Sequence, residues 1–178
     1  MRVNLDTVAP VNGFHPDKLP QHGPGLLVQG LALAGWLALC FAASATVVFV
    51  SIDGWYAGIQ KPSWNPPPWI FGPVWSVLYG MMGVAAWLVW KKGGWRQQKR
   101  VLGIFLLQLA LNALWTPLFF GMHWIGIAFA EIILLWFAIA TTLIAFTRVR
   151  KDAGALFVPY LLWVSFAAML NFTLWRMN

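Results

Sequence analysis

Aromatic side chains are the residues of this chain most able to do chemistry, and many of them crowd into one short stretch. The 178 residues include 13 Trp and 13 Phe, and residues 55–69 read WYAGIQKPSWNPPPW. Prolines fix φ and remove amide donors, and each one drives its predecessor toward extended geometry. This 55–69 connection is therefore predicted to be a stiff loop that carries aromatic rings. Such rings suit the headgroup level of a membrane or one wall of a pocket for a flat ligand.

Three other stretches place aromatic and amide side chains at helical spacing, so that each set shares one helix face. The sets are Trp75, Tyr79 and Met82; Gln108, Asn112, Trp115 and Phe119; and Pro159, Trp163, Ala167, Leu170 and Asn171. The second set falls within an arc of about 60° and the third within about 120°. Contact between amide groups and lipid is unfavourable, so these faces are predicted to point toward the interior of a helix bundle. Two interpretations follow: the amides bond between helices, or the faces line an aromatic pocket.

Isolated ionisable residues offer less chemistry. Glu131 is the only acidic residue deep in a predicted span, where a carboxylate is costly. Two interpretations stay open: Glu131 pairs with a basic ligand or a polar partner, or it has an architectural role. His123 is a lone histidine, to be read as a surface residue or an axial haem ligand. The single Cys40 excludes an internal disulfide framework. No metalloprotease, nucleophile-elbow or phosphate-loop motif occurs, so no metal site and no ordinary hydrolase or kinase is predicted.

Long apolar runs must position these faces. The chain is 60% hydrophobic and 10% charged, whereas soluble domains are about 45–50% apolar and about 25% charged. Five runs reach the roughly 20 residues that cross a bilayer as a helix. They are residues 26–50, 69–90, 101–120, 125–146 and 155–175. The predicted fold is an all-α integral membrane bundle of five transmembrane helices, residues 26–178, with the 55–69 connection between the first two and a flexible polar tail at residues 1–25.

Basic residues predict the orientation of this bundle. Ten of the twelve fall on one side of the five spans, and only Lys61 and Arg176 fall on the other. The ten are Arg2, Lys18, Lys91, Lys92, Arg96, Lys99, Arg100, Arg148, Arg150 and Lys151. Cationic loops stay in the cytoplasm, so the N-terminus is predicted inside. Because topology accounts for the net charge of +7, no nucleic-acid partner is predicted.

The motifs together resemble a known family. The pattern WYxxxxKPxWxPP, followed by Val74-Trp75 and Leu78-Tyr79, is similar to the TspO/MBR family of tryptophan-rich sensory proteins and translocator proteins. The resemblance continues through NALW at residues 112–115 and PYLLW at residues 159–163, and it covers about residues 30–178. Two departures occur: Ile59 replaces the usual Leu, and Phe172 replaces the Tyr of a proposed cholesterol motif in mammalian members.

The resemblance implies a membrane receptor or sensor that binds tetrapyrroles, protoporphyrin IX or haem-like rings, and drugs of the benzodiazepine or isoquinoline type, and so regulates tetrapyrrole or stress metabolism. It also implies that Trp55 and Trp163 flank the ring. The whole predicted ligand-binding set is Trp55, Tyr56, Lys61, Trp64, Asn65, Trp75, Tyr79, Gln108, Asn112, Trp115, Phe119, Trp163, Ala167 and Leu170. Two alternatives stay open: a light- and oxygen-dependent porphyrin-degrading enzyme with catalytic Trp55 and Trp163, and a transporter of porphyrin or another small molecule.

The expected partners are tetrapyrroles and the lipid bilayer, with sterol allowed by the resemblance although the cholesterol motif lacks its Tyr. No required cofactor is predicted. Gly126 and Ala130 form a small-xxx-small pair that permits close helix approach, and the resemblance implies a homodimer. The expected location is a bacterial cell membrane, as a multi-pass protein.

Overall fold

The computed structural model describes residues 25–50 and 54–178, and helices and turns, without strands, make up the secondary structure of these residues. The helices are α1 (Leu26–Ser44), α2 (Trp55–Gly58), α3 (Phe71–Trp90), α4 (Gly94–Thr116), α5 (Ile125–Val149), α6 (Lys151–Ala155) and α7 (Val158–Met177). Short 3-10 turns cover Ala45–Phe49 and Pro68–Ile70, and a π-helical turn covers Pro117–Gly121. The predicted tail, apart from its last residue, lies outside the described residues.

Five helical segments of the described chain are long and apolar enough to cross a membrane. They are Leu26–Val47, Pro68–Trp90, Gly94–Gly121, Ile125–Val149 and Lys151–Met177. Helix α1 packs on α3, α4 packs on α5, and α5 packs on α7, while α3 also contacts α4. The predicted five-helix membrane bundle is thus confirmed. Helix α1 lies at its margin, since Cys40 is the one residue it buries completely.

The third long helix begins earlier than predicted. The third span was expected from residue 101, but α4 begins at Gly94 and carries Arg96, Lys99 and Arg100 in its first two turns. Hydropathy identifies only the residues that lie in the hydrocarbon core. A helix can extend beyond the core into the headgroup layer, where basic side chains are favourable. The preceding reversal uses Gly93 and Gly94, whose φ values of 117° and 66° favour glycine.

The 55–69 connection differs from the prediction at its start. Its first four residues form the helical turn α2, and extended backbone begins at Ile59, with φ −75° and ψ 153°. The prolines start only at Pro62, so nothing in the first turn forbids helical geometry. The rest of the connection has no helix until the 3-10 turn at Pro68–Ile70. This arrangement presents the ring of Tyr56 from a helical turn and leads the proline-rich chain back to α3.

Close packing of α1 on α3 depends on one small residue. A Cβ atom at Gly83 would lie 2.7 Å from Cδ2 and 3.0 Å from Cα of Leu37. Lipid tails are as apolar as the side chains of the helices, so membrane helices associate mainly through close packing. Small residues make that close packing possible. The absence of a side chain at Gly83 therefore allows α1 to pack directly on α3, and α1 covers one side of the bundle interior.

Candidate ligand-binding site

A cavity of about 770 Å³ lies inside the bundle beneath the 55–69 connection. Its wall comes from the end of α1, the connection, and helices α3, α4, α5 and α7, and most of the side chains are apolar or aromatic. Of the residues predicted from sequence, the wall contains Tyr56, Lys61, Asn65, Trp75, Tyr79, Asn112, Trp115, Phe119, Trp163, Ala167 and Leu170. Its size and lining are those of a pocket for a small organic molecule.

Three buried polar side chains cross-link the helices beside the cavity. The Tyr79 hydroxyl donates to Oδ1 of Asn112 at 2.5 Å, and Nδ2 of Asn112 donates to the Tyr160 hydroxyl at 2.9 Å. All three residues are buried. We call this set, Tyr79, Asn112 and Tyr160, the polar wall. Because a buried polar group is costly when it is unpaired, these bonds fix how α3, α4 and α7 present their side chains.

A second bonded pair orients an aromatic ring of the cavity. Nε1 of Trp115 donates to Oδ1 of Asn171 at 3.1 Å, and Nδ2 of Asn171 donates to the Ile125 carbonyl at 3.0 Å. The Trp115 ring also stacks on Phe119, with centroids 4.9 Å apart. Phe119 belongs to the π-helical turn that starts at Pro117. That turn widens the helix and places the Phe119 ring beside Trp115 at the C-terminal end of α4.

Trp163 differs from Trp115 in that its indole donor is unused. The Nε1 atom of Trp163 is buried and has no hydrogen-bond partner within the described residues, although the residue lines the cavity. Its ring packs edge-on against Phe71 and is tilted against Phe166. An indole N–H only donates, and this one is shielded from the cavity and unpaired among the described residues, so the residue contributes its ring to the wall rather than its donor.

The 55–69 connection contributes polar groups to the opposite wall. The Tyr56 hydroxyl donates to Oδ1 of Asn65 at 3.0 Å. Nζ of Lys61 donates to the carbonyls of Ala57 and Ile59, each at 3.1 Å, and lies 4.8 Å from the centroid of the Tyr56 ring. Burial raises the pKa of the Tyr56 hydroxyl, and the bond to Asn65 partly opposes that rise. The connection thus brings one cation and one amide to the cavity.

Three predicted site residues lie outside the cavity wall. Trp55 stacks on His123, with centroids 4.3 Å apart, and meets the edge of Phe119. Trp64 is 42% exposed and contacts Phe166. Gln108 is fully buried one turn before Asn112, and its Nε2 contacts the sulfur of Met82 at 3.8 Å.

The reason for the Gln108 result is geometric. Shared helical spacing fixes the direction of a side chain around the helix axis but not its depth along that axis. A residue one turn away points the same way and meets a different neighbour. Trp55, on the helical turn α2, contacts the ring of Phe119, which lines the cavity, but is not itself part of the wall.

Other wall residues carried no usable sequence signal. Phe41, Ser44 and Val47 of the α1 end, and Ile132 and Leu135 of α5, also line the cavity. Each sits in an apolar run without aromatic or amide periodicity. Phe120, next to a predicted residue, was within reach of the family motif and joins the wall as well.

Glu131 and His123 stand apart from the cavity wall. Glu131 is 6% exposed, and neither carboxylate oxygen has a hydrogen-bond partner in the described part of the chain. His123 is exposed, adopts a positive φ of 59° and stacks on Trp55. Among residues 25–50 and 54–178, no group of three or more His, Cys, Asp or Glu side chains is placed to hold a metal ion.

One member of the small-residue pair on α5, Gly126 and Ala130, contacts another helix of the same chain. A Cβ atom at Gly126 would lie 2.8 Å from Nε1 of Trp175, so this glycine makes room for a ring of α7. Ala130, the second member of the pair, is exposed on the outer surface. The expected close approach to a second copy therefore has an intramolecular competitor at Gly126.

Comparison with known proteins finds relatives that match most of the chain. A sequence model described as the TspO/MBR family matches residues 31–176. The chain is 44% identical to the human translocator protein over 159 residues, which cover 87% of this chain and 92% of that protein. It is 44% identical to the tryptophan-rich protein TspO of Chlorobaculum tepidum, with 84% and 98% covered. It is 42% identical to the tryptophan-rich sensory protein of Cereibacter sphaeroides, with 80% and 89% covered.

Proposed function

This chain belongs to the TspO/MBR family, and from that premise we propose that it is a membrane receptor or sensor for tetrapyrroles. Protoporphyrin IX and haem-like rings are the expected ligands, with benzodiazepine- and isoquinoline-type compounds as competitors for the same cavity. The proposed biological role is regulation of tetrapyrrole or stress metabolism. The observation that carries the proposal is the aromatic-walled cavity of about 770 Å³ inside the membrane bundle.

The ring-lined wall suits a flat macrocycle. Trp75, Trp115, Phe119 and Trp163 all reach the cavity, and aromatic pairs contribute about 0.5–1.5 kcal/mol beyond area burial. A tetrapyrrole offers large faces for such contacts.

The peripheral groups of the macrocycle also find partners. Propionate groups require a cation or amide donors, and the 55–69 connection supplies Lys61 and Asn65 at the cavity wall.

The first experiment measures binding in the dark. Purified full-length protein in detergent or nanodiscs is titrated with protoporphyrin IX, and quenching of Trp fluorescence is followed to saturation. Saturable quenching that an isoquinoline-type compound reverses supports one shared cavity. Quenching that never saturates, or that equals quenching of empty nanodiscs, contradicts the proposal.

Ala167→Thr locates the site. Ala167 lines the cavity on α7, and the added hydroxyl and methyl groups occupy ligand space, so affinity is expected to fall about tenfold, by analogy with overpacking costs of roughly 1–3 kcal/mol. Ala130→Thr is the matched control, because Ala130 lies on the outer surface of α5 and should bind normally. Equal affinities in both variants would place the ligand elsewhere.

Light-driven degradation is the second candidate, and the position of Trp163 favours it. An indole in the cavity wall lies within reach of a bound pigment, whereas Trp55 is not part of the wall and contacts it through Phe119. Illumination of the bound complex in air should then bleach the Soret band. A requirement for Trp163 but not for Trp55 is the result that this geometry favours, and an unchanged spectrum assigns the protein to binding alone.

Orientation and assembly complete the proposal. We expect the N-terminus on the cytoplasmic side, because the α3–α4 turn, the first two turns of α4 and the α5–α6 corner together carry eight of the twelve basic residues, and we expect a homodimer in a bacterial cell membrane. Labelling of single cysteines introduced beside Lys91 and beside Lys61 tests the orientation. Native mass measurement in mild detergent tests the dimer.

A further inference from the structure

The C-terminal end of α7 is fastened to the 55–69 connection through one side chain. Oδ1 of Asn178 accepts the main-chain N–H of Gln60 at 2.9 Å, and Nδ2 of Asn178 donates to the Gln60 carbonyl at 3.1 Å. The same Nδ2 also donates to the Leu174 carbonyl at 2.9 Å, within α7. A single carboxamide therefore joins two segments that are 118 residues apart in sequence.

The pairing fixes more than the distance between the two segments. A carboxamide that bonds both the N–H and the C=O of one residue sets the direction of that peptide as well as its position. The third bond, to Leu174, holds the carboxamide itself against the last turn of α7. Gln60 is thereby locked in place immediately before Lys61.

Lys61 depends on that placement. Its Nζ lies at the cavity wall and is held by carbonyls on both sides of α2's end, those of Ala57 and Ile59. Tyr56 and Asn65, which also line the cavity, bond to each other across the same short stretch. A shift of Gln60 would therefore move the polar groups that the connection presents to a ligand.

We propose that Asn178 is a positioning residue for ligand binding: its carboxamide holds the main chain of Gln60 and so keeps residues 56–65 closed over the cavity. The inference rests on the proposed function of that cavity. When the carboxamide is removed, the connection stays attached through the stack of Trp55 on His123 and through its covalent link to α3. The protein therefore folds, and the cover opens more often.

The first test measures ligand exchange. Full-length protein in nanodiscs is loaded with protoporphyrin IX in the dark, and release into excess albumin is followed by fluorescence. Asn178→Ala is expected to raise the dissociation rate about fivefold, because the two bonds to Gln60 are exposed and each lies at the low end of the range for a net hydrogen bond, with a small change in the association rate. Gln60→Ala is the matched control: both bonds use the main chain of Gln60, so its release rate should equal that of the wild-type protein.

A second readout needs no ligand. Amide hydrogen exchange at Gln60 is measured at residue resolution in the empty protein. Protection at Gln60 should be present in the wild-type protein and in Gln60→Ala, and it should fall at least about fivefold in Asn178→Ala, because local exchange reports the free energy of local opening. Exchange in the middle of α4 serves as the internal standard and should not change.

The two readouts separate the two ideas. Equal exchange at Gln60 in wild type and Asn178→Ala overturns the fastening, whatever the porphyrin does. Altered exchange with an unaltered dissociation rate overturns the role of Asn178 in ligand binding. Failure of the wild-type protein to bind porphyrin at all overturns the proposed function and its ligand-positioning role together, while the exchange result still decides whether the contact exists.

Discussion

The two sides of the cavity are held by different kinds of contact. On the bundle side, Tyr79, Asn112 and Tyr160 are buried and bonded to one another across three helices. On the side of the 55–69 connection, the bonds of Lys61 and Gln60 are mostly exposed to solvent or headgroups. Hydrogen bonds that water can replace contribute little net stability, whereas breaking a buried one leaves a costly unpaired group.

This difference predicts that the two sides of the cavity have different roles in binding. A pre-bonded wall holds its groups in place before a ligand arrives, which lowers the ordering cost of binding. A cover held by a few exposed bonds opens at low free energy. The bundle side is therefore expected to set which molecules fit, and the connection is expected to set how fast they enter and leave.

The largest effect is expected from breaking the polar wall. Asn112→Leu leaves the hydroxyls of Tyr79 and Tyr160 without their mutual partner, at about 1–3 kcal/mol for each buried group. Thermal unfolding in detergent should shift clearly downward, and porphyrin affinity should fall with it. Asn65→Ala, on the connection, is the matched comparison and should leave the unfolding midpoint near that of wild type. Similar shifts in the two variants would remove the contrast between the two sides.

An intermediate effect should separate two indole donors on the bundle side. Trp163→Phe removes an N–H that has no partner within the described residues, whereas Trp115→Phe removes one bonded to Asn171. We expect Trp163→Phe to cause little loss of stability, because the N–H that it removes makes no bond among the described residues, and to lower porphyrin affinity severalfold, because the smaller ring loses contact with the ligand.

Trp115→Phe should show the reverse balance, because Oδ1 of Asn171 then loses its donor. Titration with protoporphyrin IX and thermal unfolding of both variants provide the comparison. A stability loss in Trp163→Phe as large as that in Trp115→Phe would mean that the bond from Trp115 to Asn171 contributes no stability beyond the packing of an indole ring.

The smallest effect belongs to the connection. Tyr56→Phe removes the bond to Asn65 but keeps the ring against Phe119 and Phe120. Because this bond is only partly buried, we expect less than about 1 kcal/mol in stability and a severalfold faster release of porphyrin. Stopped-flow release and thermal unfolding measure both quantities. A large stability loss with unchanged release would show that this residue belongs energetically to the bundle.

Particular residues show how far prediction from sequence reached. The spacing of Asn112, Trp115 and Phe119 placed all three on one face, and the structure brings them to the cavity. Gln108 shares that face and lies beside Met82 instead. The small-residue pair suggested contact with a second copy, yet Gly126 accommodates the Trp175 ring of its own chain. Periodicity records direction around a helix, and it contains no information about which neighbour stands opposite.

The sequence by itself determined the membrane class, the five helices and the family, because hydrocarbon thickness and proline chemistry act on local stretches of chain. Only the tertiary structure decided that the Trp163 donor finds no partner among the described residues while that of Trp115 bonds to Asn171, that Trp55 contacts Phe119 outside the cavity wall, and that Asn178 reaches Gln60. Each of these depends on the depth and rotation at which distant segments meet. Those quantities are set by packing across the whole bundle, so no local pattern encodes them.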